Sequence, residues 1–186
     1  MYITRISGAW LANKICPGLY VPAVTDIDLI ALRDQGIRAL LVDLDNTIAN
    51  LGGSEVRVPI AEWIQRAKDL DIFVCIVTNA AFSARVAEIA KRLDVAFLTK
   101  AVKPRRVGLR YVMDNLGLVP SQMVMIGDQL FTDVLSGNRL GALTILVDPL
   151  TSTRFITGQF LRLFERPLLA WLKREGMFPS RLGSGS

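Results

Sequence analysis

The 186-residue sequence contains no histidine. That one absence removes Ser-His-Asp triads, histidine phosphatases and imidazole metal sites together. Cysteine is nearly as scarce. Cys16 and Cys75 form no CxxC pair, and neither has an arginine six residues on, so a cysteine-phosphatase loop is excluded as well. No disulfide framework is implied, which suits a reducing compartment. Cys75 sits within the apolar run IFVCIVTN and reads as a buried strand residue. No run of 18 apolar residues occurs, so a membrane-spanning helix is not expected. The first residues lack the continuous apolar core of a signal peptide. Internal repeats and low-complexity segments are absent too.

Hydrophobic residues make up 51% of the chain, enough for one compact domain with a small appendage. Net charge is +5 with a pI near 9.6. The excess is uneven: positions 154–175 hold five basic and two acidic residues. The basic residues are not interleaved with aromatics around a groove, and no DNA or RNA motif appears, so no nucleic-acid partner is expected.

Residues 26–150 alternate between two hydrophobic periods. Short apolar runs at 39–44, 72–77, 96–98, 123–126 and 144–147 read as buried strands. Helical patterns at 28–35, 60–70, 83–93, 104–116 and 132–140 surround and separate them. Near-continuous Val/Ile/Leu strands alternating with helices predict an α/β fold: a central parallel sheet covered by helices on both faces, three layers in all. Pro59 and Pro104 sit where a first helical turn tolerates proline, and Gly117 is placed as a helix stop. Residues 1–25 read as an extended lead-in, because Pro17-Gly18 and Pro22 break any regular element. Residues 151–180 form an appended helical segment, and 181–186 read as a disordered tail or scar.

Four chemistry-bearing motifs fall at the carboxyl ends of predicted strands or in the loops beyond them. They are Asp43-Leu-Asp45-Asn46-Thr47, then Thr78-Asn79, then Lys103-Pro104, then Gly127-Asp128 with Asp133. A parallel sheet gathers such positions at one edge, where open α/β sheets bind ligands. Asp43 and Asp45, two apart, converge if the extended geometry continues that far. The collected groups are carboxylates for a divalent cation, a hydroxyl and an amide for phosphate oxygens, and a lysine to balance charge. Mg²⁺ takes oxygen ligands and keeps several waters, so a few carboxylates and a substrate phosphate suffice. Each motif alone has a plainer reading. Asp43 and Asp45 can be a turn and a helix cap, Thr78-Asn79 a strand-end turn, Lys103 a solvated lysine, and Asp133 an N-cap. Asn46 and Thr47 can simply shape the turn, and Gly127 can serve tight backbone geometry.

The order and spacing of these motifs resemble the haloacid-dehalogenase-like (HAD) superfamily, phosphatase branch, over residues 26–150. The resemblance implies a Rossmann-like HAD fold and a phosphomonoester hydrolase. In it Asp43 is the nucleophile that forms an aspartyl-phosphate, and Asp45 is the general acid/base. Thr78 and Asn79 bind phosphoryl oxygens, with Asn46 a further substrate-binding candidate, and Lys103 bridges Asp43 and the phosphate. Asp43, Asp128, Asp133 and the backbone carbonyl of Asp45 are the implied metal-site residues, for Mg²⁺. The intervals 48–77 and 80–102 are too short for a cap domain, so an open site and a large substrate are expected, a partner-supplied lid being the other possibility.

Within the superfamily, YVPAVTDIDLIALRDQGIRALLVDLDNT and GDQLFTDVLSGN look closest to the YqeG-type subgroup, similar to mitochondrial and plastid phosphatases acting on phosphatidylglycerophosphate. That resemblance implies an anionic phospholipid substrate and phosphatidylglycerol as product. The expected place of action is cytoplasmic, or peripheral on the inner face of a membrane. The alternative is a soluble phosphatase for a small phosphometabolite or phosphoprotein. Arg105 and Arg106, beside Lys103, are candidates for steering an anionic head group, or a solvated helix start. In the segment after residue 150, Ile156, Phe160, Leu163, Phe164, Pro167, Leu168 and Trp171 share one arc, with Arg162, Arg166 and Lys173 opposite. This amphipathic pattern suits a helix in a membrane interface and equally a helix covering the sheet. Pro167 predicts a break into two short helices.

Overall fold

The apolar runs form the sheet because both of their faces are covered. A computed structural model of the chain describes residues 14–81, 84–151, 159–174 and 178–179. Its strands are β1 (Leu19–Val21), β2 (Ala39–Val42), β3 (Phe73–Val77), β4 (Ala96–Leu98), β5 (Met123–Gly127) and β6 (Leu143–Val147). Among the described residues these six strands pair in parallel throughout, in the order β1-β6-β5-β2-β3-β4. Helices α1 (Leu29–Asp34), α2 (Val58–Asp69), α3 (Ala84–Leu93), α4 (Val107–Leu116) and α5 (Leu135–Leu140) lie among the strands, and α6 (Gln159–Arg174) follows them.

Strand side chains alternate between the faces. Leu40, Val42, Val74, Ile76, Val124 and Ile126 pack with Ile60, Trp63 and Ile64 of α2 and Val86 and Ile89 of α3. Ala39, Leu41, Cys75, Val77, Met123 and Met125 pack the other way, against Leu109, Val112 and Met113 of α4 and Leu140 of α5. Each large apolar side chain buried this way contributes roughly 1.5–3 kcal/mol. Burial also pushes the Cys75 thiol up to about 12, which leaves it a packing residue.

The chain builds outward from β2 to β3 and β4, then returns to β2's other side for β5 and β6. The order therefore reverses between β2 and β5, the crevice where doubly wound sheets bind ligands. Val42 lies level with Ile76 on β3 and Ile126 on β5. The residues that follow these three strands consequently emerge together.

Three expectations need correction. The lead-in does hold a regular element: Leu19–Val21 pairs with β6 as an edge strand, anchored by Gly18 N–H donating to Thr144 Oγ1 at 3.0 Å. The helix expected from Pro104 starts at Val107, because 103–106 form a turn leading into it. The tail is one helix running through Pro167 and not two. Proline forfeits one donor, and the Leu, Glu, Arg, Ala and Lys around it are good helix formers. Beyond Pro167, Leu168, Leu169, Trp171 and Leu172 pack on Leu130, Val134, Leu146 and Tyr20, so this half of the apolar arc belongs to the core. Ile156 and the side chains of Phe160, Leu163 and Phe164 lie outside the described residues, as do 1–13 and 181–186. Among the described residues, no helix is long and apolar enough to cross a membrane.

Candidate active site

Asp43 extends β2 by one rung: its N–H donates to Ile126 O at 2.9 Å. This fixes Asp43 beside Gly127-Asp128, and all three of Asp43, Asp128 and Asp133 are buried. Their carboxylate oxygens lie within 4.8 Å of one another. Asp133 reaches the cluster through a π-helical turn, Leu130–Val134. Its Oδ2 accepts the Gln129 N–H at 3.2 Å, and its other oxygen is free to face Lys103. Gly127 makes the space. A Cβ there would stand 2.2 Å from Asp133 Oδ2, so no other residue lets that carboxylate lie across the end of β5.

Lys103 enters from the loop after β4. Its ammonium donates to Asp43 Oδ1 at 2.5 Å and to Asp133 Oδ1 at 2.7 Å. The loop is held by backbone bonds, Thr78 N–H to Leu98 O and Ala101 N–H to Thr78 O, both at 3.0 Å. Asn79 grips the lysine itself. Its Oδ1 accepts Lys103 N–H at 2.7 Å and its Nδ2 donates to Lys103 O at 2.9 Å.

The electrostatics follow from burial. Three carboxylates and one ammonium share a dry volume. Desolvation pushes the Asp43 carboxyl up to about 7, with Lys103 opposing and the charges of Asp133 and Asp45 adding to the rise. For Lys103, burial alone would lower the pKa. Asp133 and Asp43 outweigh it and hold the ammonium above its ordinary range. The lysine is a fixed cation, then, while the excess negative charge falls on Asp43. An all-oxygen donor set with surplus negative charge fits a hard divalent cation. Asp43, Asp128 and Asp133 are the residues able to hold it.

Asp45 does not join that cluster. Beyond Asp43 the ladder with β5 stops, and Asn46 adopts a left-handed conformation with φ 63°. The Asp45 carboxylate instead meets Arg85 of α3, whose Nη2 lies 2.9 and 3.0 Å from its two oxygens. Gly52 N–H donates to Asp45 Oδ1 at 3.2 Å, and Arg85 Nη1 donates to Gly53 O at 2.7 Å. One guanidinium thus joins the second aspartate to the Gly-rich flap after it. The sequence reading passed over Arg85, which looks like any solvated residue of an amphipathic helix.

Two expected phosphate ligands are otherwise engaged. The Asn79 amide is spent on the Lys103 backbone. Asn46 Oδ1 accepts the Thr151 hydroxyl at 2.6 Å, and its carbonyl accepts Leu150 N–H at 2.8 Å. Both hold loops in place, because polar groups at such tight turns satisfy local backbone first. Thr78 is buried at the end of β3, its Oγ1 accepting Ala80 N–H at 3.1 Å. Arg105 is exposed. Arg106 is exposed as well and donates to Arg139 O at 3.4 Å.

The fold has parallels among solved structures. The cobalt-bound deoxy-D-mannose-octulosonate 8-phosphate phosphatase of Haemophilus influenzae superposes with a TM-score of 0.50 at 17% identity, over 61% of this chain and 69% of that one. At that identity the likeness is one of fold. With the ordered motifs and the relatives below, the class is a phosphatase of the HAD superfamily. A family model described as mitochondrial PGP phosphatase matches residues 10–151, and the chain belongs to that family. The probable phosphatase YqeG of Bacillus subtilis is 35% identical over 166 residues, 89% of this chain and 96% of its own length. The chloroplastic/mitochondrial phosphatidylglycerophosphate phosphatase 1 of Arabidopsis thaliana is 28% identical over 179 residues. The match takes in 89% of this chain and half of the plant protein.

Proposed function

We propose that the chain hydrolyses a phosphomonoester by way of an aspartyl-phosphate on Asp43, and that the ester is phosphatidylglycerophosphate. The observation that carries the reaction is the Lys103 ammonium seated between Asp43 and Asp133, with the Asp128 carboxylate in the same cluster. An Asp43 oxygen attacks phosphorus as the ester P–O bond breaks, and Asp45 delivers a proton to the departing alkoxide. Asp45 then takes a proton from the water that attacks the Asp43-bound phosphorus, releasing phosphate and regenerating the carboxylate. Lys103 holds the nucleophile and offsets charge on the transferring group, as phosphoryl transfer requires. Bound Mg²⁺, held by Asp43, Asp128 and Asp133, would supply further neutralisation of the phosphoryl oxygens.

The substrate reading rests on the family and on the plant relative, a phosphatidylglycerophosphate phosphatase. It gains support from the short intervals beside the site. Among the described residues, α2 and β3 are the helix and strand between Asp45 and Thr78, and α3 and β4 those between Asn79 and Lys103. Intervals this short argue against a cap domain, and an open mouth would suit a head group presented at a membrane. In the test, purified protein with Mg²⁺ is given phosphatidylglycerophosphate in mixed micelles beside a panel of soluble phosphate esters. Phosphate release from the lipid, abolished by Asp43→Asn, is expected. Equal or faster turnover of sugar phosphates defeats the lipid assignment and favours a soluble phosphometabolite.

A further inference from the structure

The rim of the site beside Lys103 is both apolar and basic, and it is exposed. Val102, Val107 and Tyr111 are 50%, 65% and 61% accessible, among the most exposed large hydrophobics described. Val107 and Tyr111, four apart on α4, share one helix face. Val102 has φ 58°, a conformation that β-branched residues rarely adopt. Backbone bonds hold it there: Ala101 N–H donates to Thr78 O at 3.0 Å and Arg105 N–H to Val102 O at 2.8 Å. The fold therefore accepts a strained valine that remains half in solvent.

Cations surround this ridge. Lys100, Arg105, Arg106 and Arg110 are all exposed, and no acidic residue occurs between Asp94 and Asp114. Asp114, the next acidic residue, is exposed one turn beyond Arg110 on the same helix. Arg139 of α5 joins the same rim by donating to Pro104 O at 3.0 Å, while Arg106 donates to Arg139 O. Five exposed cations thus frame three exposed apolar side chains at the mouth of the cleft. On α6, the rival membrane-facing element, Leu168, Leu169, Trp171 and Leu172 pack on the core.

We infer that the rim formed by residues 100–111 and Arg139 docks the protein on an anionic phospholipid surface. Resting on the lipid reading above, the inference names the face that meets the bilayer. Apolar tips ringed by arginines match an interface of acyl chains beneath anionic head groups. Each basic residue near such a surface is worth about fivefold in binding. The same loop carries Lys103, whose side chain points inward to Asp43 and Asp133.

The test combines Val107→Ser, Arg110→Ser and Tyr111→Ser, none of which touches the carboxylate cluster. Vesicles of phosphatidylglycerol and phosphatidylethanolamine, and vesicles of phosphatidylcholine alone, are sedimented with each protein. Wild type is expected on the anionic vesicles, with binding weakened at least about tenfold in the triple variant. Its turnover of p-nitrophenyl phosphate should match wild type. Equal vesicle binding by the two proteins overturns the inference. So does a wild type that ignores vesicles but forms a dimer that the variant loses, because the rim then meets a second copy. Should the triple variant melt early, Arg110→Glu alone serves: weaker binding at low salt with the gap closing at high salt supports docking, and no gap at low salt overturns it. Failure of the lipid reading looks different. The rim would still govern vesicle binding, while phosphatidylglycerophosphate would go unhydrolysed.

Discussion

Replacing Lys103 by methionine probes the charge balance of the site most directly. The two side chains are similar in length, so little cavity forms. What disappears is the ammonium that lies 2.5 Å from Asp43 and 2.7 Å from Asp133, with only 2% of the lysine side chain exposed. Removing one partner of a buried ion pair typically costs about 3–5 kcal/mol, since the charge left behind has neither water nor counter-ion. For a domain of this size, 1 kcal/mol shifts Tm by roughly 2–4 °C. A fall of about 6–20 °C is therefore expected for the variant in EDTA at pH 8. Two controls bear on the cause. Lower pH should shrink the loss, because a proton on Asp43 can then replace the missing cation. Adding Asp43→Asn to the variant should restore part of the stability, as coupled sites do in a double-mutant cycle. Thermal unfolding followed by circular dichroism gives all four values. A variant that melts within about 2 °C of wild type at pH 8 in EDTA refutes the account of an ammonium compensating a dry carboxylate cluster.

Further predictions concern the two aspartates of the first motif. Because Asp43 sits near pKa 7 when folded against an ordinary 3.8, the folded state binds the extra proton between those values. Metal-free stability should then fall as pH rises from about 4 to 7, and Asp43→Asn should flatten that slope; parallel denaturation curves for the two proteins would sink the argument. Arg85→Ala frees the Asp45 carboxylate from its guanidinium. If Arg85 positions the acid, first-turnover cleavage of an alkyl phosphate should fall at least about tenfold more than that of p-nitrophenyl phosphate, whose leaving group needs no proton. Arg92→Ala is the control, for Arg92 holds the flap at Ser54 O without touching Asp45, and equal losses on both esters in Arg85→Ala exclude the positioning role.

Much of this arrangement was legible because strands announce themselves by composition. The 96–98 run matches β4 residue for residue, and the two-faced packing follows from continuous Val/Ile/Leu segments. Clustering of the motifs was legible for a topological reason: parallel strands put every strand-end residue at one edge. What escaped is whatever depends on long-range hydrogen bonds. β1 is three residues between Pro17-Gly18 and Pro22, too short to show a period, and exists through its pairing with β6. Asn79 reads in the sequence as an amide for phosphate oxygens. Only the folded loop reveals Lys103 N–H and C=O facing its amide. Arg85 lies 40 residues from Asp45 in sequence, and no local pattern connects them. The π-helical turn before α5 escaped for a related reason. A regular 3.6-residue period was expected from Thr132, whereas Val134 N–H donates to Gln129 O five residues back at 3.2 Å. That wider turn accompanies the return of the Asp133 carboxylate toward the Gln129 N–H and Lys103.

These departures fall around one cost. A sheet whose strands are almost wholly apolar gains stability from every residue it buries, yet the residues just past β2 and β5 are carboxylates set in that same dry interior. The cluster is tolerated because its geometry is fixed from outside. Asp43 N–H is tied to β5, Gly127 clears space for Asp133, and Asn79 fixes both backbone groups of Lys103. These restraints keep the carboxylates and their lysine from relaxing toward water, which would be the stabilising move without a bound cation. Holding them together leaves surplus negative charge that one lysine cannot cancel. The unbalanced charge that weakens the resting fold is what would attract a divalent cation and, once the cation is bound, a phosphate dianion.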